Sequence, residues 1–291
     1  MVLKGFKMVN LRFWKKDYNQ NDKLNFLIEK YKKRKLNIFI IGAGALANFV
    51  AIGLSQLRLG RITIFDQDKI EETNLNRQVL YFDAVGYPKA SILKKRLKEL
   101  NSKNIYNFEL KFFDYVATKK YFRWFGDKPD ILIDCVDNFE TRALLNKVAL
   151  KYKIPLISGG TSPLAGQVML YFPGITSCLN CELDIERLAE ERERRRQGCT
   201  EVPEGSVVTT NQIIGGMMTG ELYRLLNGIA PTSGTIKYIS SDDDRVGFVP
   251  NGKACNCHLN SIKIGPTKIK DIKLSAPLLD RLKSFFVEEE L

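Results

Sequence analysis

Histidine is almost missing from this chain: His258 is the only one among 291 residues. A single imidazole argues against a Ser-His-Asp triad and against a hydrolytic zinc centre built on several histidines. Long hydrophobic runs are missing too. No stretch approaches the roughly 20 apolar residues that a bilayer-spanning helix needs, so no membrane span is predicted. The opening residues MVLKGFKMVNLRFWKKDYNQ hold neither a long apolar core nor a small-residue cleavage site. No signal peptide is expected, and a cytoplasmic location is. No internal repeat and no low-complexity linker interrupts the pattern. In a cytoplasmic chain of this size, the six cysteines suggest metal binding or thiol chemistry rather than a disulfide framework.

What is present fits a globular α/β protein. Hydrophobic residues make up 44% and charged residues 27%, enough for a full core. The formal net charge is +12, and residues 1–35 carry eleven Lys/Arg against Asp17, Asp22 and Glu29. Such an arm suits an acidic protein or a nucleic acid, or is simply a solvated basic helix.

The pattern after this arm alternates strand and helix signals. A leading helix is expected over 20–35. Leu36–Ile41 is a short continuous apolar run, as in a strand buried on both faces. Gly42-Ala43-Gly44 breaks it, an apolar helical pattern follows to Leu57, and Arg61–Phe65 is a second strand ending at Asp66. This is a βαβ unit. Further expectations are a helix over 86–100, strands at Asn107–Phe113 and Ile131–Val136, a helix over 139–152, and strands at Pro155–Ser158 and Gln167–Phe172. A charged stretch follows over 182–198, with Glu190/Arg194 and Glu191/Arg195 at helical spacing. Then come a glycine-containing helix over Thr210–Leu226, short antiparallel strands within 234–250, and a tail with a terminal helix near 276–290. The predicted fold is α/β: a Rossmann-like, mostly parallel sheet with helices on both faces, plus a short antiparallel C-terminal part and a zinc clip. The predicted organisation is a basic helical extension over 1–35, a main domain over 36–258, which the motifs below identify by resemblance as an ATP-binding adenylation domain with a zinc site, and a tail over 259–291.

Gly42-Ala43-Gly44-Ala45-Leu46-Ala47 reads G-x-G-x-x-A. The first glycine permits the tight turn, the second lets backbone approach a phosphate, and the last small residue packs helix on strand. Amides at the helix start then face the anion. Asp66 ends the next strand, where an acidic residue grips a ribose hydroxyl. This frame points to an adenine nucleotide without separating NAD or FAD from ATP. The following loop separates them. Asp66-Gln67-Asp68-Lys69-Ile70 leads into Asn74-Leu75-Asn76-Arg77-Gln78 and then Gly86-Tyr87-Pro88-Lys89-Ala90. Arg77 offers a planar fork and Lys89 a point charge for the β- and γ-phosphates. Asp137-Asn138 lies beyond a buried strand, where open α/β sheets bind ligands, and an aspartate there suits Mg²⁺.

The ordered motifs D-x-D-x-I-x-x-x-N-L-N-R-Q, G-x-P-K-A and D-C-x-D-N resemble the ThiF/MoeB/HesA and ubiquitin-activating adenylating enzymes. The resemblance runs from about residue 36 to 258, through Ser158-Gly159-Gly160, Cys178-Leu179-Asn180-Cys181, Gly198-Cys199-Thr200 and Gly215-Gly216. It implies that Gly42, Gly44, Ala45, Asp66 and Asp68 line the nucleotide and that Asp66 binds ribose. It assigns Asn74, Arg77, Gln78 and Lys89 to the phosphates, and Asp137 with Asn138 to Mg²⁺. It further implies adenylation of a carboxylate, most often the C-terminal glycine of a ubiquitin-like or sulfur-carrier protein, by a homodimer. Relatives that adenylate a carboxylate on modified tRNA provide an alternative, as does an inactive partner subunit. The arginine element that many members carry before the first strand has only Arg12-Phe13-Trp14-Lys15-Lys16 in its place, and Ala47-Asn48 replaces a usual glycine.

Cys178-x₂-Cys181 and Cys255-x-Cys257-His258 have the separated halves of a structural zinc site. Four thiolates including Cys257 are favoured over three with His258, since thiolate is the commoner partner. Cys199 follows Arg194-Arg195-Arg196, whose charge favours a thiolate. In the family this position can carry the thiol that receives the activated carboxylate, so Cys199 joins Arg77, Lys89 and Asp137 as a catalytic candidate. Cys135 is expected in the core.

Overall fold

The apolar run after residue 35 becomes the centre of one sheet. The computed structural model describes residues 36–57, 60–100, 105–108, 128–197, 205–229, 234–239 and 245–250, with Cys255 and Cys257. The expected leading and terminal helices, Cys199 and His258 lie outside these residues. The strands are β1 (Asn37–Ile41), β2 (Arg61–Phe65), β3 (Ile105–Phe108), β4 (Ile131–Asp134), β5 (Leu156–Thr161), β6 (Ala165–Tyr171), β7 (Gly234–Ile239) and β8 (Arg245–Pro250). They form an eight-stranded sheet in the order β3-β2-β1-β4-β5-β6-β7-β8. The first five run parallel, and β6, β7 and β8 are antiparallel additions.

The helices are α1 (Ala45–Ser55), α2 (Lys89–Glu99), α3 (Phe139–Tyr152), α4 (Leu179–Leu183), α5 (Ile185–Gln197) and α6 (Val208–Leu226). Alternate strand residues feed two cores. Ile38, Ile40, Ile62, Ile64, Ile133 and Val168 pack with Leu46 and Val50 of α1, Leu93 of α2 and Met218 of α6. Phe39, Ile41, Phe65, Leu132, Met169 and Tyr171 pack with Leu145 and Val148 of α3 and with Leu179 and Ile185. A strand apolar at every position is therefore explained by helices on both faces.

β3 begins at Ile105, two residues before the expected start. The charged stretch is a short helix and a longer one, broken at Asp184 in a left-handed conformation. Glu190 pairs with Arg194 as its spacing predicts, at 3.7 Å, and Glu191 also meets Arg187 one turn earlier, while the Arg195 side chain lies outside the described ones. In α6, a Cβ on Gly215 would sit 2.7 Å from Phe49 Cβ, and one on Gly53 of α1 would sit 2.7 Å from Thr219. These two glycines let α1 and α6 cross at close range. Gly216 and Gly220 face open space.

Candidate nucleotide site and cysteine cluster

The strand order reverses between β1 and β4, and open α/β sheets place ligands in the crevice beyond such a point. Gly42 stands there with φ +88°, and a Cβ would lie 2.7 Å from the Cys135 carbonyl oxygen. Only glycine satisfies both the left-handed turn and this approach. Gly44 is the N-cap of α1, with no side-chain cap and nothing within 4 Å of where a Cβ would stand. The start of α1 is thus uncapped by any side chain and leaves room beside Gly44, an arrangement suited to phosphate.

Asp66 ties this turn to β2. Its Oδ2 accepts from the Ala43 N–H at 2.6 Å and its Oδ1 from the Asp68 N–H at 2.7 Å. Burial raises its carboxyl above the ordinary value, and the two backbone hydrogen bonds offset only part of that. The segment after β2 folds back: Lys69 bridges to Pro88, and the Lys89 N–H donates to the Asp68 carbonyl at 2.9 Å. This puts Lys89 Nζ 3.4 Å from Asp68 Oδ2, with its side chain only 11% exposed. Lys89 is also the first residue of α2. A cation at the positive end of a helix dipole opposes that helix's stability, so its placement makes sense toward an anion.

Three polar residues that sequence reasoning left without a role hold this frame. The buried Tyr81 hydroxyl lies 2.6 Å from the Ala43 carbonyl and 3.3 Å from that of Lys89, and donates between them. Burial pushes its phenol well above the ordinary range, so it remains a donor. Asn48, inside α1, donates to the Gly44 carbonyl at 2.9 Å and accepts from the Leu80 N–H at 2.8 Å. The third is Arg142. Its Nη2 donates to the carbonyls of Val136 and Gly159 at 2.9 and 2.6 Å, and its Nε lies 3.0 Å from Asp134 Oδ2, off-line for a hydrogen bond. Asp134 is fully buried and also accepts from the Ser158 hydroxyl and the Val136 N–H. The sequence signal, polar residues inside apolar periods, was visible; their partners, up to 38 positions away, were not.

The remaining predicted residues divide. Asn74 is buried and closes a capping box with Glu71. Gln78 is buried, and its Oε1 has no hydrogen-bond partner among the described residues. Arg77 folds onto its own turn, Nη1 reaching the Thr73 carbonyl at 3.0 Å and Asn76 Oδ1 at 2.8 Å. Asp137 is exposed, its carboxylate met by Asn138 Nδ2 at 3.4 Å and its carbonyl by Arg192 Nη1 at 2.8 Å. Asn138 is the N-cap of α3, its Oδ1 accepting from the Thr141 N–H. Cys135 is buried, as expected.

Beyond β6, the Asn146 side chain of α3 accepts from the Leu179 N–H at 3.0 Å, fixing the start of α4. Cys178 and Cys181 from this turn meet Cys255 and Cys257, with all four Sγ atoms within 4.8 Å of one another. Tetrahedral zinc with Zn–S near 2.3 Å needs sulfurs about 3.8 Å apart, so the set fits a closed four-thiolate site. Cys257 stands in the cluster, and His258 lies outside the described residues. Burial, then the hydrogen bond with Cys257 and the charge of Cys178, pushes the Cys181 thiol far above its ordinary value; four thiolates this close require a cation.

The ThiF family model matches residues 20–259. The chain belongs to the ThiF family. Sulfur carrier protein ThiS adenylyltransferase of Bacillus subtilis is 34% identical over 157 residues, 53% of this chain and 45% of that protein. Adenylyltransferase and sulfurtransferase MOCS3 of Anopheles gambiae is 32% identical over 52% of this chain and 33% of its own length. Ubiquitin-like modifier-activating enzyme 5 of Arabidopsis thaliana is 26% identical over 75% and 54%. The chain thus spans between a third and somewhat over half of these curated relatives. Escherichia coli MccB, solved with ATP, shares the fold at a TM-score of 0.63 and 23% identity, over 79% of this chain and 67% of that one. No helix among the described residues is long and apolar enough to cross a membrane.

Proposed function

We propose that this ThiF-family chain is an ATP-dependent adenylyltransferase acting on a carboxylate, most simply the C-terminal glycine of a ubiquitin-like or sulfur-carrier protein. The observation that carries this reading is the uncapped start of α1 at the switch point, with Asp66 bound to the Ala43 N–H and the buried Lys89 beside Asp68. The names of the similar proteins support it, since they are adenylyltransferases and modifier-activating enzymes. In this reading the α1 amides cradle phosphate, Asp66 accepts a ribose hydroxyl, and Lys89 steadies the β- and γ-phosphates. Arg77 and Gln78 leave their present contacts or vacancies to join them, with Asn74 holding their turn. The carboxylate oxygen bonds to the α-phosphorus as the bond to pyrophosphate breaks, and positioning with charge neutralisation supplies the catalysis. Asp137, exposed and bearing hard oxygens, would hold Mg²⁺, which neutralises phosphate charge. The four-cysteine cluster would hold zinc in a closed, structural set. We assign homodimeric assembly and a thiol-acceptor role for Cys199 to the same reading.

Pyrophosphate exchange into ATP is the test, run with candidate carrier proteins and, because of the basic residues before position 36, with tRNA. Asp137→Ala should abolish exchange while circular dichroism shows an intact fold. Calorimetry showing NAD bound more tightly than Mg·ATP would overturn the reading. Exchange driven by tRNA and by no carrier would move the substrate to the nucleic acid.

A further inference from the structure

Two positions of the Ser158-Gly159-Gly160 run in β5 have a packing reason, and the third does not. The Ser158 hydroxyl donates to Asp134 Oδ2, and a Cβ on Gly159 would lie 2.4 Å from Met218 Sδ. A Cβ on Gly160 would meet only two atoms within 4 Å, Arg142 Nη1 at 3.2 Å and Gln167 Cγ at 3.8 Å. Nη1 makes no hydrogen bond among the described residues, whereas Nη2 donates to the carbonyls of Val136 and Gly159 and Nε lies against Asp134. The Arg142 side chain is only 9% exposed. Nε is sealed from solvent, but the unbonded Nη1 stays open to it. A buried, locked guanidinium thus opens one arm beside a strand position that carries no side chain. That arm stands next to the nucleotide cradle. Gly42 packs on the Cys135 carbonyl, and the next carbonyl along, that of Val136, is the one Nη2 holds. β4 and β5 both end here, at the edge where open α/β sheets take ligands. Asp134 at 3.0 Å balances the Arg142 charge. Nη1 therefore offers a fixed, directional donor with little net charge behind it, which suits a neutral carbonyl oxygen better than a phosphate.

We propose that Arg142 Nη1 donates to the last peptide carbonyl of a polypeptide substrate and so aligns its terminal carboxylate with the α-phosphate, while Gly160 leaves room for that chain. This role rests on the adenylation reading above and narrows its substrate to a polypeptide C-terminus. Binding at the neighbouring amide orients the nucleophile without drawing electron density from the carboxylate itself.

The probe is a sulfur-carrier protein ending in glycine, in ATP–pyrophosphate exchange with the full chain. Gly160→Ala leaves the Nη2 and Nε contacts in place and puts a methyl in front of Nη1. It should raise KM for the carrier about 10- to 100-fold, the scale of a hydrogen bond from a charged donor, and leave KM for ATP within about twofold. Arg142→Lys, shown folded by circular dichroism, should do the same, since an ammonium has no second arm. A semisynthetic carrier whose last amide is a thioamide, a weaker acceptor, gives a readout that a packing role does not move. It should raise KM with wild type and add no further loss in either variant. No carrier-dependent exchange by the wild-type chain would end the adenylation of a polypeptide itself, and this role with it. Exchange by wild type with an unchanged carrier KM in both variants would overturn the role of Arg142 alone. So would an equal rise in KM for carrier and ATP, which marks a general distortion of the site, or a thioamide penalty as large in the variants as in wild type.

Discussion

Replacing Arg142 with Leu tests the buried clamp between β4 and β5. The change strips Asp134 of its counter-charge, 3.0 Å away, and leaves the carbonyls of Val136 and Gly159 without their shared donor. Asp134 is fully buried and retains only the Ser158 hydroxyl at 2.6 Å and the Val136 N–H at 3.1 Å. Leaving one buried charge unpaired costs about 3–5 kcal/mol, and each abandoned carbonyl adds about 1 kcal/mol or more where water cannot reach it. A loss of at least ~4 kcal/mol is expected, a large share of the ~5–15 kcal/mol typical of a domain. Urea denaturation at neutral pH, followed by circular dichroism, measures it. A second variant carries Asp134→Leu as well, which removes the stranded charge. The loss in the double variant should be about 2 kcal/mol or more smaller than the sum of the two single losses. It should stay below wild type, because the two carbonyls still lack a donor. Arg142→Lys should fall between, since an ammonium cannot reproduce the planar fork. Strict additivity, or an Arg142→Leu loss below about 1 kcal/mol, would refute the clamp.

The glycines of α6 should respond with opposite signs. Gly216→Ala faces open space and should stabilise by up to ~1 kcal/mol in a urea melt, whereas Gly215→Ala drives a Cβ to 2.7 Å from Phe49 Cβ and should destabilise by about 1–3 kcal/mol. For Asp66, burial first of all raises the carboxyl from its ordinary 3.8, so in this window the folded state binds more protons than the unfolded chain. Its contribution is fully present below the unfolded value and is lost as pH rises through the folded one. The stability of wild type relative to Asp66→Asn should therefore fall as pH rises from about 4; a difference that grows with pH would contradict this assignment.

The elements legible in the sequence are those with local causes. Asn37–Ile41, the glycine turn and Arg61–Phe65 follow from an apolar run, a φ-positive glycine and a second apolar run, and α3 starts at Phe139 because Asn138 caps it. Non-local causes were not legible. Asp134 and Asp137 stand three residues apart in D-C-x-D, yet one is sealed under Arg142 and Ser158 while the other is exposed. Residue type cannot distinguish them; burial does. Gly215 and Gly216 are likewise identical in sequence, and only the position of α1 gives one of them a reason. Arg77 shows a different limit. Its motif implies phosphate by resemblance, whereas its guanidinium lies on its own turn against Thr73 and Asn76.

α3 joins the two chemical centres more directly than the sheet does. Its first turn carries Asn138 and Arg142, which shape the turn bearing Asp137. Two turns later Asn146 holds the Leu179 N–H at the start of α4, between Cys178 and Cys181. Lys147 then pairs with Glu186 of α5 at 3.0 Å, and the Glu186 N–H donates to Asn180 Oδ1 of α4 at 3.0 Å. The circuit closes when Arg192 of α5 returns to the Asp137 carbonyl at 2.8 Å. Each link is a single hydrogen bond or ion pair, and the exposed ones are worth less than about 1 kcal/mol alone. The turn carrying Asp137 is thus held at two successive carbonyls, Val136 by Arg142 and Asp137 by Arg192. The second support is only as firm as α4 and α5, and the α4 turn is where Cys178 and Cys181 meet Cys255 and Cys257. On the proposed reading, a metal held by these four cysteines would have a physical route to the geometry of Asp137 through contiguous packed elements.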